Sequence, residues 1–203
     1  LEHIHGAGKR AGNIVENMLA FSRRSHSSKT PHDLSRILDK ALDLAASSYD
    51  LKKGFEFKEF SILRQYEPSL PKTLVNETEM EQVFLNLIIN AIQSMTVSGH
   101  KGIKMLTLAA RAEESSVVVE IQDTGPGMDE TTRKRIFEPF FTTKELGQGT
   151  GLGLSVSYFI VVENHKGAIM VDSAPGMGAT FRITLPIVPD GENWPRAEHI
   201  RIP

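Results

Sequence analysis

The sequence predicts an α+β domain preceded by one bundle-forming helix. Apolar residues recur at helical spacing over residues 34–45 and 80–95, which indicates two amphipathic helices. Two pairs of segments with alternating apolar residues, within 103–122 and 167–185, have the pattern of β-hairpins. A chain of 203 residues is long enough for one such domain and a small addition.

Composition restricts the chemistry available to this chain. The absence of cysteine excludes disulfide frameworks, thiolate zinc sites and cysteine nucleophiles. Lysine and arginine total 23 against 25 aspartates and glutamates, a balance that argues against a nucleic-acid partner. No apolar run approaches the roughly 20 residues of a spanning helix, and the N-terminus lacks a signal-peptide layout. We therefore expect a cytoplasmic chain without membrane contact of its own, although the parent protein can be membrane-anchored.

Residues 1–24 form the predicted bundle helix. Three glycines within it each lower intrinsic helicity by up to ~1 kcal/mol, so partner helices must stabilise it. The helical pattern is already under way at Leu1, and we expect upstream sequence to complete the bundle. The apolar stripe of this helix consists of Ile4, Ala7, Ala11, Ile14, Met18 and Phe21.

A second helix is predicted to begin with Thr30 as N-cap and Pro31 as its first residue, and to end at Gly54. A strand over residues 55–66 and a short edge strand at 73–75 follow. The predicted buried face of the helix consists of Leu34, Ile37, Leu38, Ala41, Leu42 and Ala45.

The best-defined helix follows the capping sequence Asn-Glu-Thr-Glu at residues 76–79. Its predicted buried face consists of Met80, Val83, Phe84, Leu87, Ile88, Ala91, Ile92 and Met95. The remaining expected elements are strands at 103–111 and 117–122, a short helix at 132–137, a helix at 151–164 and a hairpin of strands 167–172 and 179–185.

Two asparagines lie on the polar side of that best-defined helix. Asn86 and Asn90 are four residues apart and therefore share one face, in line with Glu79 and Gln82. Asparagine is a poor helix former, and burying its amide without partners costs about 1–3 kcal/mol. The pattern indicates a ligand, and a polar face that meets solvent or caps a loop is the alternative.

Two glycine motifs follow in the segment between the hairpins. Residues 123–127, Asp-Thr-Gly-Pro-Gly, set a carboxylate that can accept from an amino group before glycines that permit close backbone approach. An ordinary turn is the alternative. Residues 147–153 place four alternating glycines directly before a helix, where free N–H groups favour phosphate. A flexible linker is the alternative there.

Residues 137–144 lie between these motifs and contain three phenylalanines and Lys144. The phenylalanines would anchor a loop that covers the ligand as a lid, and the lysine could reach a phosphate. A hydrophobic cluster beneath a long loop is compatible with that role.

Taken in order, these four motifs resemble the N, G1, F and G2 boxes of histidine kinase catalytic domains in the GHKL ATP-binding family. The resemblance implies a two-layer α/β sandwich with a mixed sheet, helices on one face, and ATP beneath a mobile lid. It makes residues 30–188 the catalytic ATP-binding domain. Residues 1–29 then resemble part of a dimerisation domain, the second helix of its hairpin with a linker, and 189–203 form an irregular tail.

The resemblance also implies roles for individual residues. Asn90 would bind Mg²⁺, Asn86 would lie by the phosphates, and Asp123 would take the adenine amino group. Asn86, Asn90 and Lys144 form the implied catalytic set. The remaining implied nucleotide contacts are Gly125 and Gly127 at the adenine, Gly147, Gly149, Thr150, Gly151, Leu152 and Gly153 at the triphosphate, and Thr180 in the final strand.

The chain departs from the family pattern in two motifs. Many relatives have asparagine where this chain has Thr124, and Gly-Thr where it has Gly-Ala at residues 178–179. Family members that hydrolyse ATP usually place a glutamate base one turn before the metal-binding asparagine, and Asn86 stands there. An amide is no general base, which favours phosphoryl transfer to a protein side chain over hydrolysis.

The function implied is that of a sensor histidine kinase, which phosphorylates a histidine for relay to a response-regulator aspartate. A homodimer would form through the N-terminal helix and the hairpin helix expected upstream, which would also carry the acceptor. Within this chain only His32, followed by an acid, mimics an acceptor motif. The alternatives are a GHKL serine kinase of the anti-sigma type and a non-catalytic nucleotide-binding scaffold.

Overall fold

The computed structural model describes residues 28–53, 59–96, 102–144 and 149–187. The predicted N-terminal helix and the tail at 189–203 lie outside these ranges. Within them, no helix is both long and apolar enough to cross a bilayer. The elements are β1 (Thr30–His32), α1 (Leu34–Lys53), β2 (Ser61–Tyr66), β3 (Thr73–Val75), α2 (Glu77–Met95), β4 (Met105–Glu113), β5 (Ser116–Asp123), α3 (Glu130–Arg135), α4 (Gly153–Tyr158), a π-helical segment (Phe159–Asn164), β6 (Ala168–Ser173) and β7 (Ala179–Pro186).

Five strands form one mixed sheet in the order β2-β4-β5-β7-β6. Strand β2 runs parallel to β4, and all other neighbours are antiparallel. Both predicted hairpins are present, as β4–β5 and β6–β7. Strands β1 and β3 form a separate antiparallel pair, with Thr30 opposite Val75.

Helices α1 and α2 cover one face of the sheet and bury its apolar residues. The opposite face carries Glu120, which forms ion pairs with Arg111 and Arg182 on the neighbouring strands. This is the predicted two-layer α/β sandwich of the α+β class. The largest fully buried side chains are Phe84, Leu34, Ile37, Leu38, Met80, Leu87, Ile88, Ile92, Met95, Leu106, Leu108 and Ile121.

Helix α2 forms as its sequence predicts. Asn76 is the N-cap, and its side chain accepts a hydrogen bond from the Glu79 N–H at 3.1 Å. Glu77 and Glu79 in the first turn complement the positive end of the helix dipole. All eight apolar residues predicted for its inner face are buried.

The predicted start of the preceding helix is wrong. Thr30 and Pro31 belong to β1, because the segment pairs with β3 before the helix begins at Leu34. Asp33 provides the cap instead, and its Oδ1 accepts from the N–H of Ser35 at 3.0 Å. Proline suits a short edge strand as well as a first helical turn, so the local pattern was ambiguous.

The predicted single helix over 151–164 begins two residues later and changes its winding. It is α-helical from Gly153 and becomes π-helical at Phe159. The N–H of His165 donates to the Ile160 carbonyl five residues earlier, at 3.1 Å. The Nδ1 of the same histidine lies 2.8 Å from that carbonyl, so the side chain reinforces the wider turn.

Candidate functional site

The asparagine pair on α2 faces the end of the glycine run. Asn86 donates from Nδ2 to the carbonyl of Gly153 at 3.3 Å, and the same nitrogen is 3.5 Å from Ser157 Oγ. Both partners belong to α4, which packs against α2. One amide therefore holds the start of α4 beside the polar face of α2.

The second asparagine meets the lysine that follows the phenylalanine-rich segment. Lys144 Nζ donates to Asn90 Oδ1 at 3.0 Å and also to Gln93 Oε1. An ammonium group can only donate, so both amides must present their oxygens to it. Gln93 stands in no motif of its own, although its spacing of three from Asn90 places it on the same face.

Asp123 ends β5 and is 4 % exposed. Its Oδ1 accepts from the N–H of Gly125 at 2.8 Å and from Ser94 Oγ on α2 at 3.2 Å. Ser94 lies one turn beyond Asn90, so a single helix face carries contacts to both the aspartate and the lysine. Ser94 belongs to none of the motifs that mark the other site residues.

The glycine-containing loop after Asp123 packs against the β6–β7 turn. Gly127 has φ of 70°, and a Cβ there would lie 2.0 Å from the carbonyl oxygen of Ala174. Ser173 Oγ accepts from the Met128 N–H at 2.9 Å, and Pro126 accepts from Gly176 at 2.7 Å. Glycine is thus required at position 127 by both conformation and space.

Thr124 connects this loop to the beginning of β4. Its hydroxyl accepts from the Met105 N–H at 3.0 Å and donates to the Ile103 carbonyl. The threonine that departs from the family pattern therefore bonds to the backbone of the neighbouring strand.

Two of the three phenylalanines pack into the protein and one projects outward. Phe137 lies 5.6 Å from the Tyr158 ring, and Phe141 lies under the Arg135 guanidinium at 4.4 Å. Phe140 is 56 % exposed, and its N–H donates to the Gly151 carbonyl at 2.9 Å. This hydrogen bond joins the aromatic segment to the glycine run.

Most of the glycine run lies close to these groups. A Cβ on Gly149 would be 3.2 Å from Thr142 Oγ1 and 3.3 Å from Lys144 Cδ. Thr150 is exposed and accepts from the Leu152 N–H at 3.3 Å, while Leu152 itself is buried. Gly147 lies outside the described residues.

The register of β7 places Thr180 away from the other predicted nucleotide-binding residues. It pairs with Gln122, whereas Ala179 pairs with Asp123. Side chains alternate between the two faces along a strand. Thr180 therefore occupies the face of the sheet opposite Asp123, and the buried Ala179 takes the position beside the aspartate.

The polar face of α2 offers amide oxygen atoms, those of Asn90 and Gln93, as donors to a metal. Among the described residues, no group of three histidine, cysteine, aspartate or glutamate side chains is arranged to hold an ion. Magnesium usually keeps several waters and binds few protein oxygens together with substrate phosphates. The oxygens of Asn90 and Gln93, which already converge on a cationic nitrogen, fit that requirement.

The buried His165 supports the helices behind the site. Its Nε2 accepts from the backbone N–H of Asn76, and Glu79 Oε2 is 3.8 Å from Nδ1. Burial lowers the pKa of His165; the charge of Lys29 also lowers it, while the Ile160 carbonyl and the Glu79 carboxylate act in the opposite direction. Because Nε2 must accept, the ring is neutral and carries its proton on Nδ1.

Comparison with known proteins identifies the family of this chain. The family model for histidine kinase-, DNA gyrase B- and HSP90-like ATPases matches residues 75–189. The chain is 34% identical to the signal transduction histidine-protein kinase AtoS of Escherichia coli over 88% of its length, and 35% identical to the sensor kinase CckA of Brucella abortus over 91%. It spans only 27% and 20% of those relatives.

Solved structures with the same fold include the catalytic domain of the histidine kinase ThkA and full-length ShkA. The catalytic domain of ThkA superposes with a TM-score of 0.64 at 25% identity, covering 79% of this chain and 98% of that one. Full-length ShkA in complex with AMPPNP gives a TM-score of 0.70 at 26% identity, covering 89% of this chain and 36% of that one. The chain belongs to the family of histidine kinase-, DNA gyrase B- and HSP90-like ATPases, and it is homologous to the catalytic ATPase domains of sensor histidine kinases.

Proposed function

We propose that this chain is the ATP-binding catalytic part of a sensor histidine kinase and that it transfers the γ-phosphoryl group of Mg-ATP to a histidine. The observation that carries the proposal is the sequence of contacts along α2. Three hydrogen bonds follow one another along the helix: Asn86 donates to the glycine run, Asn90 accepts from Lys144, and Ser94 donates to Asp123. At 1.5 Å per residue, these contacts extend over about 12 Å of one helix face.

In the proposed complex, the two ends of this face have different tasks. Asp123, held by the Gly125 N–H and the Ser94 hydroxyl, accepts from the adenine amino group. Gly127 lets the backbone of the loop approach the base. The buried carboxylate makes this contact charge-assisted, which favours adenine over a base that presents a carbonyl there.

The opposite end of the helix face receives the triphosphate. Asn86 lies by the phosphates, Lys144 neutralises phosphate charge, and the backbone from Gly149 to Gly153 donates N–H groups to phosphate oxygens. Asn90 holds the magnesium ion, which when bound neutralises charge on the transferred phosphoryl group. Thr180 is left out of this proposal because Asp123 and Thr180 are on opposite faces of the sheet.

Transfer to a side chain is favoured over hydrolysis by the chemistry of Asn86. Its amide is committed to orienting α4 through the Gly153 carbonyl and cannot remove a proton from water. Phosphoryl transfer depends mainly on positioning and electrostatic stabilisation, which the amides, glycines and lysine supply. An amide in this position therefore suits a kinase.

The acceptor is proposed to lie on another segment of the parent protein. His32 belongs to strand β1, and its Nε2 lies 2.7 Å from Thr30 Oγ1. His165 is buried with both ring nitrogens engaged. Neither described histidine is presented for attack on a phosphate. The acceptor would come from the dimerisation hairpin of a homodimer, and a response-regulator receiver domain would then take the phosphoryl group.

Radiolabelled ATP tests this proposal. The chain is incubated alone and with a longer variant of the same protein that carries the upstream helix and Asn90→Ala, so that it cannot transfer phosphate itself. We expect acid-labile label on the longer variant and none on the short chain. Acid-stable label would instead favour a serine kinase, and ATP binding without any labelling would favour a scaffold.

A further inference from the structure

We propose that Gln93 is a second amide oxygen donor to the cation that enters with the nucleotide, and that Lys144 occupies this position until the phosphates of the nucleotide draw it away. The proposal rests on the proposed function of the site. It adds Gln93 to the metal position, and it states that Lys144 leaves this position before the metal binds.

The geometry of three side chains supports it. Asn90 Oδ1 and Gln93 Oε1 both accept from the single nitrogen of Lys144. The two amides project from one helix three residues apart, so their oxygens converge on one point beside α2. A point surrounded by amide oxygens that already stabilises a positive charge has the chemistry of a hard-cation site.

Size distinguishes the two cations that this point can hold. An ammonium nitrogen sits about 2.7–2.9 Å from its oxygen partners, whereas magnesium binds oxygen at about 2.0–2.1 Å. Exchange therefore draws the amide oxygens inward or inserts a metal-bound water. Gln93 has one methylene more than Asn90, which gives its oxygen the reach to remain in contact with the metal and its water shell.

Charge decides the order of exchange. The two amides that hold Lys144 are neutral, so they cannot bind an ammonium and a divalent cation side by side against mutual repulsion. Without nucleotide, the tethered lysine has the advantage over free Mg²⁺. The phosphates of a nucleotide carry negative charge that attracts Lys144 away from the amides, and their oxygens then become available to the metal. The metal consequently enters with the nucleotide.

The role of Gln93 is tested by calorimetric titration of ADP with and without Mg²⁺. We expect Gln93→Leu to reduce the gain in affinity that Mg²⁺ provides by about threefold to tenfold. Metal-free ADP binding should not weaken, because the substitution removes an acceptor that competes with the phosphates for Lys144. Gln65→Leu is the matched control, because Gln65 is an exposed glutamine on β2. If Gln93→Leu keeps the full Mg²⁺ gain of the unmodified chain, Gln93 is no metal donor. If the unmodified chain binds no ADP at all, the proposed function itself fails.

The exchange of Lys144 has a readout that requires no activity. In the nucleotide-free protein, Lys144→Met should shift the side-chain NH₂ signals of Asn90 and Gln93 in NMR spectra, whereas Lys134→Met on exposed α3 should not. Metal-free ADP should shift both signals in the unmodified chain, and Mg²⁺ should shift them again. Signals that stay in place when ADP binds would overturn the exchange.

Discussion

The imidazole Nε2 of His165 accepts a hydrogen bond from the backbone N–H of Asn76 at 3.0 Å. This contact joins the end of the π-helical segment to the N-cap of α2, the helix that carries the candidate site. Asn164 adds a bond from Nδ2 to Glu79 Oε1 at 3.1 Å, and its carbonyl accepts from Lys29. The chain that leads into β1 is thereby attached to the same cluster.

Acidification should weaken the fold through this histidine. Burial lowers the pKa of His165 below its usual 6.5, so the unfolded chain takes up the proton first as pH falls. The stabilising contribution is complete above about pH 6.5 and declines as pH drops toward the lowered pKa, by at most about 1.4 kcal/mol per pH unit. Urea unfolding between pH 7.5 and 5 measures this dependence. The charges of Lys29 and Glu79 also act on the ring.

The contribution of His165 can be separated from that of other groups by substitution. His165→Gln should flatten the pH dependence. If the stability of the His165→Gln variant still depends on pH to the same extent, other residues cause the effect.

Asp123→Ala should lower ATP affinity by about 10–100-fold and remove the preference for ATP over GTP. A hydrogen bond to a charged group is worth about 1.5–3 kcal/mol, and each 1.4 kcal/mol is about tenfold in affinity. Fluorescent nucleotide titration measures the change, with Asp172→Ala on the exposed part of β6 as the control. Unchanged ATP affinity in a folded Asp123→Ala variant would remove this residue from the adenine site.

Asn90→Ala should weaken Mg-ATP binding more than binding of metal-free ATP, because the amide oxygen is the proposed metal donor. Titrations in Mg²⁺ and in chelator give the two affinities. Equal losses under both conditions would mean that Asn90 only supports the packing of Lys144.

Gly127→Ala should destabilise the protein more than Gly176→Ala does. Both glycines have positive φ, 70° and 78°, where an alanine costs about 1–2 kcal/mol. A Cβ at position 176 meets nothing within 4 Å, whereas one at 127 would lie 2.0 Å from the Ala174 oxygen. Thermal unfolding of the two variants isolates the clash, and equal shifts in Tm would contradict it.

Local signals in the sequence predicted most of the fold. The cap and apolar stripe of α2 lie within one segment, and both hairpins join neighbours in the chain, so no distant contact had to be known. The start of α1 failed because Thr30 pairs with Val75, a partner 45 residues away that no local pattern specifies.

The site was predicted less completely, again because some of its contacts join residues that are distant in the sequence. Asn86, Asn90, Asp123 and Lys144 stand in recognisable motifs, and the structure brings them to the face of α2. Gln93 and Ser94 carry no motif of their own, and their roles appear only when Lys144 and Asp123 fold onto the helix. Thr180 falls on the face opposite Asp123 because the face of a strand residue depends on register, which the resemblance did not fix.

The pairing of Asp123 with Ala179 has a consequence for how this region can vary. It fixes both ends of the intervening chain at one point of the sheet, and the bond from Asn86 to Gly153 anchors that chain again near its middle. The entropy of closing a loop grows only with the logarithm of its length, so doubling the stretch between two such anchors costs about 0.6 kcal/mol. Insertions between the elements of this stretch should therefore alter the stability of the sheet very little, and its length is open to adaptation independently of the fold.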